Sequence, residues 1–413
     1  MTPILFLSPR VPWPLNTGAK IRTHALLAAL TGAFHVDYAG FLQPDLTAAD
    51  ARNALAACTT VSLFDEQYTS RPAKLGLAMR TLATACPATI AKYWNQGLAE
   101  HVHRWDRTNP GGMIHADHLH MAPYLQRAAR THRVIDEHNV EALILERLLP
   151  YLPAGPVRAY LRLQARRLRA YEAGMVRTAD LVLAVSENDR QQLCRMTAHG
   201  DVRVVPNGVD TGYFNARPDR RTAQSGEMIF TGSMNWKPNE DAIRYFADRI
   251  MPLLNTGEPN GRRWRLRVVG QNPSARLQAL RSKRIELTGA VPDVRPYMER
   301  AAVYVVPLRV GGGSRLKILE ALAMGVPVVT TRIGCEGLDV QDGQHVLLAD
   351  EPESFAAAIR RLHQDRALVE RLVGAGRKLV EEHYDWQVIG RRLVNWYATG
   401  PTKPGKYVES DIS

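Results

Sequence analysis

Short runs of apolar and β-branched residues alternate with stretches of helical periodicity along most of the chain. Ile4–Ser8 leads into a turn-rich loop and then an amphipathic pattern over 19–31. FHVDYAGF (34–41), TTVSLF (59–64), GMIHA (112–116), HRVID (132–136) and LVLAV (181–185) follow as strand-like runs, with helix-length segments between them. Such alternation predicts parallel sheets covered by helices on both faces. The rhythm stops at PNGVDTGYFNARPDRRTAQSGE (206–227), a polar stretch rich in turn formers. It restarts with EMIFTG, RLRVVG, IELTG, VYVVPL and VPVVTT, and beyond 352 the pattern is helical. The spacing predicts an α/β chain of two doubly wound domains. These are an N-terminal domain over 1–206, a linker over 207–225 and a C-terminal domain over 226–384. A helix over 385–399 is expected to pack back on the first domain, ahead of a loose tail over 400–413. Ligands are expected in a cleft at the carboxyl ends of the strands.

Composition narrows the class. With 413 residues, 45% hydrophobic and 23% charged, the chain has enough apolar material for two or three cores and is neither fibrous nor largely disordered. No apolar run approaches the roughly 20 residues that span a bilayer, and the stretch after Met1 is too short for a signal peptide. Cys58, Cys86, Cys194 and Cys335 lie far apart in no metal-like spacing, which fits reduced thiols and a cytoplasmic location. The charge is unbalanced: 53 Lys+Arg against 41 Asp+Glu give +12, compatible with nucleic acid, anionic lipid or an anionic small molecule. Two acid-free stretches hold the excess, 156–171 with five arginines and 262–284 with eight basic residues. The first is an amphipathic basic helix suited to peripheral contact with an anionic membrane, or simply a solvated helix face.

The most informative segment is VYVVPLRVGGGSRLKILEALAMGVPVVTT (303–331). A strand runs into Gly311, Gly312 and Gly313, and a helix opens near Ser314. Glycines let backbone approach a ligand closely, and a helix start offers unpaired N–H groups and positive dipole to a diphosphate. Arg315 and Lys317 place two cations where the helix dipole alone disfavours them, an objection that a bound anion removes. Neither the P-loop nor the dinucleotide fingerprint is present.

At these residues the sequence resembles the retaining glycosyltransferases of family 4, which have the GT-B fold of two Rossmann-like domains facing each other across a cleft. Glu320, Ala321, Ala323, Gly325, Pro327 and Val328 fit the family's E-A-x-A-x-G-x-P-V series, while Gly312 stands where the family has its first Glu. Closest in appearance are the sugar transferases of exosortase-linked exopolysaccharide systems. VRVVPNGVDTGYF (202–214) resembles the family's interdomain hinge, and MIFTGSMNWKPNEDAI (228–243) its first donor-domain strand, loop and helix. The resemblance implies a nucleoside-diphosphate sugar donor, with Glu320 on the ribose and Lys237, Arg315 and Lys317 on the diphosphate. Gly232, Gly312, Gly313 and Ser314 line the donor site, and the base lies near Val291. It implies transfer to a glycan or lipid-linked acceptor without metal or cofactor, and no D-x-D motif occurs in the chain.

On the acceptor side, SPRVPWPLNTGAKIRTHALLAAL (8–30) resembles the family's glycine loop, with Gly18 at the helix start and Lys20 and Arg22 behind it. Asn16 or Thr17 also suits a plain helix cap. MIHADHLHMAPY (113–124) and RVIDEHNVEALI (133–144) concentrate His115, Asp117, His118, His120, Asp136, Glu137, His138 and Glu141. Their spacing matches no standard zinc motif. The resemblance aligns His138 with the strand-end histidine that contacts the donor sugar, and Asp117 and His118 are candidates to orient an acceptor hydroxyl. An epimerase or hydrolase on the same scaffold is the rival enzyme. A non-catalytic lipid-binding or nucleic-acid-binding protein is the rival from another class. Aromatics are only 7%, with little basic–aromatic interleaving, so nucleic acid is not an expected partner.

Overall fold

The computed structural model describes residues 2–66, 71–197, 201–215, 226–255, 264–310 and 315–399. The chain divides into two compact units, one formed by residues up to Pro206 together with those from Ile389 onward, the other by Asn207–Val388.

The first unit is built on a parallel sheet of β1 (Pro3–Ser8), β2 (His35–Leu42), β3 (Thr60–Asp65), β4 (Met113–Asp117), β5 (His132–Glu137), β6 (Leu181–Ala184) and β7 (Val202–Val204). Their spatial order is β3-β2-β1-β4-β5-β6-β7. β1 reads as a nearly unbroken apolar run because helices cover both faces of the sheet, and Ile4, Leu5, Phe6 and Leu7, with Ile114 on β4, are fully buried. Strand order reverses at β1, with β2 on one side and β4 on the other. This is the switch point outside which doubly wound sheets hold their ligands. The helix Gly18–Thr31 follows β1, capped by Thr17, and buries Leu26, Leu27 and Leu30 together with Arg22 and Thr23.

The second unit repeats the topology with β8 (Glu227–Thr231), β9 (Arg265–Val269), β10 (Ile285–Gly289), β11 (Val303–Val306), β12 (Val328–Thr330) and β13 (Leu347–Leu348). The order is β10-β9-β8-β11-β12-β13, all parallel, with the switch point between β8 and β11. β7 and β13, three and two residues long, carry too little pattern to be read from sequence. The segment Asn207–Asn215 belongs to the second unit, where Val209 bridges Asp385. Residues 216–225 and 400–413 lie outside the described residues.

The last helix, Trp386–Thr399, carries the chain back into the first unit. There Ile389, Leu393 and Tyr397 are buried, and Tyr397 Oη meets His115 Nδ1 at 2.6 Å. Gly390 makes the approach possible, because a Cβ there would stand 2.8 Å from Ala29 Cβ. Gly390→Val should therefore destabilise by about 1–3 kcal/mol through overpacking. Gly374→Ala, with open space around the new methyl, should be neutral or stabilising by up to about 1 kcal/mol. Urea unfolding midpoints of the two variants measure the difference.

Candidate functional site

At the switch point of the first unit a buried polar network closes the carboxyl ends of β1, β4 and β5. Asp117 ends β4 and is fully buried. Its Oδ2 accepts from Ser8 Oγ at 2.7 Å and Thr23 Oγ1 at 2.9 Å, and its Oδ1 lies 2.8 Å from His138 Nε2. Asp136, one strand over, takes a two-pronged ion pair from Arg22, Nε at 3.0 Å and Nη2 at 2.6 Å, and lies 3.3 Å from His138 Nε2. Arg22 Nη1 also donates to the carbonyls of Val205 and Pro206. The Asp136 carboxylate compensates the charge of the buried guanidinium.

His138 is 7% exposed and stands directly after β5. Burial disfavours its charge, but the paired carboxylates of Asp117 and Asp136 outweigh that and raise its pKa to about 9. The shift favours its charged form at neutral pH, and Nε2 faces both carboxylates. His118 stacks on it at 3.5 Å between ring centroids and has a left-handed backbone, φ 71°. Such a conformation in a residue other than glycine marks a position held by its surroundings. Burial and the neighbouring His138 charge lower the pKa of His118. His115 is buried against the Phe6 ring at 4.3 Å, and burial pushes its pKa down to about 4.

One expectation changes here. Asp117 was a candidate to orient an acceptor hydroxyl, but it has no exposed surface and both its oxygens are engaged, by Ser8, Thr23 and His138. Gly18 begins its helix behind a Thr17 cap whose Oγ1 lies 3.5 Å from Lys20 N. Sequence reasoning passed over Ser8, Thr23 and the Arg22–Asp136 pair. Their signal, polar residues at strand ends and early in the helix after β1, was present but carried no partner information. Asp117, His118 and His138 also bring ligand atoms close enough to share a cation, as do His115, Asp117 and Asp136. The hydrogen bonds and the Arg22 charge already satisfy these carboxylates.

Beside the network, Glu137 is buried with both oxygens unpartnered among the described residues. Burial and the facing Glu172 raise its pKa well above the usual carboxylate range. Burial also raises Glu172, to about 8, although it accepts from the backbone N–H groups of Glu141 and Ala142.

In the second unit Gly232 follows β8 with φ 147°, and a Cβ there would stand 2.8 Å from Asn239 Nδ2 and 3.0 Å from Lys317 Nζ. That space lets Lys317 lie over the Phe230 ring at 4.1 Å and donate to Asn239 Oδ1 at 2.9 Å. Lys317 and Glu320 lie on the helix Leu316–Ala323. Burial and the neighbouring Arg315 lower Lys317 to about 7, and burial raises Glu320 to about 7. A cation that costs this much to keep charged is suited to an arriving anion. Lys237 is exposed at the start of the helix Lys237–Tyr245, and Val291 is half-buried in the loop after β10. Arg315, expected on a diphosphate, is turned inward at 4% exposure and donates to the Ile333 carbonyl at 2.8 Å. Gly312, Gly313 and Ser314 lie outside the described residues. The 262–284 basic stretch is elsewhere: Arg265, Arg281, Lys283 and Arg284 line a cavity of about 270 Å³ around the amino-terminal ends of β9 and β10, at the opposite edge of the sheet.

Residues 226–365 match the family model described as Glycosyl transferases group 1, and residues 88–213 that described as Glycosyltransferase Family 4. Two different parts of the chain thus each match a glycosyltransferase family model, and the fold is α/β with two Rossmann-like domains. It is 25% identical over 243 residues to glycogen synthase of Mycobacterium tuberculosis, covering 56% of this chain and 57% of the relative. It is 27% identical over 317 residues to the GDP-mannose-dependent alpha-(1-6)-phosphatidylinositol monomannoside mannosyltransferase of Mycolicibacterium smegmatis, covering 66% and 80%. The match thus spans little more than half the length of the first of these relatives. Sucrose-phosphate synthase from Thermosynechococcus elongatus shares the fold with a TM-score of 0.69 at 19% identity, over 97% of this chain and 99% of that one.

The buried acids give a pH prediction. Glu137 and Glu172 have folded pKa values above their unfolded ones, so their contribution is present at low pH and lost as pH rises through the folded values. His138, raised to about 9, changes in the same direction. The melting temperature should fall between pH 6.5 and 9, and Glu137→Gln should flatten that fall without lowering stability at pH 8.

Proposed function

We propose that the protein is a retaining glycosyltransferase that moves a sugar from a nucleoside-diphosphate sugar to a hydroxyl of a glycan or lipid-linked acceptor. The observation that carries the reading is the half-buried Lys317 at the second switch point, held over an aromatic ring by Gly232 and Asn239 with no carboxylate ion pair among the described residues. In this reading Lys317 and Lys237 hold the diphosphate, Glu320 the ribose, and Gly232, Gly312, Gly313 and Ser314 line the donor site. Arg315, anchored to the Ile333 carbonyl, supports the start of the Leu316–Ala323 helix, and Val291 stands by the base. His138 brings its positive charge to the donor sugar, oriented by Asp117 and Asp136. The bond between the anomeric carbon and the phosphate oxygen breaks, and the acceptor oxygen bonds the same face of that carbon. The acceptor proton passes to the departing phosphate. Fixed positive charge on the leaving oxygens and a positioned acceptor supply the acceleration. The resemblance to exosortase-linked transferases supports a role in exopolysaccharide biosynthesis.

Lys317→Ala should weaken binding of a nucleotide sugar at least tenfold. Binding by the unaltered protein should also weaken as pH rises through about 7, where the free Lys317 loses its proton, whereas Lys317→Arg should flatten that dependence. Calorimetry with UDP-glucose and GDP-mannose between pH 6 and 9 measures both. Affinity that is unchanged in Lys317→Ala rejects the assignment, and conversion of donor without acceptor favours the epimerase or hydrolase reading.

Peripheral contact with an anionic membrane is supported by a surface of the first unit. Met79, Leu82 and Val157 are more than half exposed, and neither 67–99 nor 148–171 contains an acidic residue. Arg167 ties the helices Arg71–Leu82 and Pro156–Thr178 together by donating to the Thr81 and Leu82 carbonyls. Arg162 and Arg166 stay exposed, without an ion pair among the described residues. Cosedimentation with vesicles containing 30% phosphatidylglycerol should fall several-fold in Arg162→Gln/Arg166→Gln, and neutral vesicles should bind neither form.

A further inference from the structure

The loop after β1 and the approach to the 96–108 helix carry cations that the donor chemistry does not use. Arg10 Nη2 and Lys92 Nζ each stand 3.4 Å from one atom, the Tyr93 hydroxyl oxygen, and Lys92 also lies 4.7 Å over the Tyr93 ring. Neither has an ion-pair partner among the described residues. Lys20 belongs to the same neighbourhood, where burial, opposed by Asp45 and assisted by Arg10, lowers its pKa. Two cations converging on a neutral hydroxyl repel each other, and the protein fixes them there. The Arg10 carbonyl accepts from Ser8 Oγ and Tyr38 Oη, and Val11 exchanges two hydrogen bonds with the buried Gln43 side chain.

The pair opens on the His138 site. The His120 ring lies 5.1 Å from Tyr93 and 6.0 Å from His118, which stacks on His138, so a continuous row of rings joins the cations to the imidazolium. Burial above all, with His118, Arg10 and Lys92 adding to it, pushes His120 down to about 3. A phosphoryl group has several acceptor oxygens and bridges a guanidinium and an ammonium well. In the same loop Trp13 and Leu15 expose large apolar side chains, and Lys20 Nζ donates to the Trp13 carbonyl at 2.9 Å.

We propose that the acceptor is phosphorylated and that its phosphoryl group is seated between Arg10 and Lys92, above Tyr93. The acceptor sugar then extends along the histidine row toward His138. A phosphoryl group of this kind comes from a soluble sugar phosphate or from a lipid-linked one, and Trp13 and Leu15 are placed to cover an alkyl chain. The proposal rests on reading the first unit as the acceptor side of a glycosyltransferase, and its test is independent of turnover.

The test is calorimetric titration of the full chain with decyl phosphate and with glucose 1-phosphate, using Arg10→Gln/Lys92→Gln, Trp13→Ala/Leu15→Ala and Lys317→Ala. Both probes should bind about tenfold more weakly to Arg10→Gln/Lys92→Gln, while affinity for the nucleotide sugar stays unchanged and shows the fold intact. A decyl advantage lost in Trp13→Ala/Leu15→Ala assigns the phosphate to a lipid-linked acceptor. Equal binding of the two probes with the same loss in Arg10→Gln/Lys92→Gln assigns it to a soluble one. Unchanged phosphate binding in Arg10→Gln/Lys92→Gln, with loss in Lys317→Ala instead, overturns the proposal. Should the unaltered protein transfer no sugar yet lose phosphate binding in Arg10→Gln/Lys92→Gln, the transferase reading fails and the phosphate seat stands.

Discussion

Two carboxylates, Asp117 and Asp136, lie without solvent exposure at the ends of adjacent parallel strands, and the first unit is organised around keeping them ionised. Burying such a pair costs several kcal/mol per charge unless each oxygen is met by a donor or cation. Here the donors are four side chains: Ser8 on β1, Arg22 and Thr23 on the following helix, and His138 after β5. Each supplier is thereby fixed relative to the others. The arrangement positions the helix Gly18–Thr31 over the switch point, draws the Val205–Pro206 carbonyls to Arg22, and sets His138 Nε2 against both carboxylates. The network is the reason the charged form of His138 is favoured.

The second unit reaches its chemistry by the opposite route. It confines charge instead of matching it. Lys317 is half-buried over Phe230 with a neutral amide for a partner, and Glu320, one turn on, is held near neutrality by burial. A site built this way is poised for an anion that brings its own charge. The space exists because the chain turns at Gly232, where any side chain would meet Asn239 and Lys317.

Much of this was legible in advance. Strand–helix alternation gave the two doubly wound sheets, because parallel strands buried on both faces must be apolar throughout. β7 and β13 escaped because two or three residues carry no period. The polar residues at strand ends announced a site, since a sheet edge under a helix start is where such groups find partners or ligands. Their roles were not legible. Asp117 and Arg315 both read as ligand contacts, yet one is sealed beneath His138 and the other is turned into the Ile333 loop.

The linear sequence determined the periodicity, the positions of glycine and proline, and which residues carry charge. These fix the fold class, because local pattern and turn chemistry act between near neighbours along the chain. The tertiary structure alone decided which charges meet. Arg22 and Asp136 are 114 positions apart, Arg10 and Tyr93 are 83 apart, and His115 and Tyr397 are 282 apart. Ionisation follows from those encounters: packing against two buried carboxylates raises the pKa of His138, while burial lowers those of His115, His118 and His120. Desolvation and Coulomb energy depend on distance in space, which the order of residues does not contain.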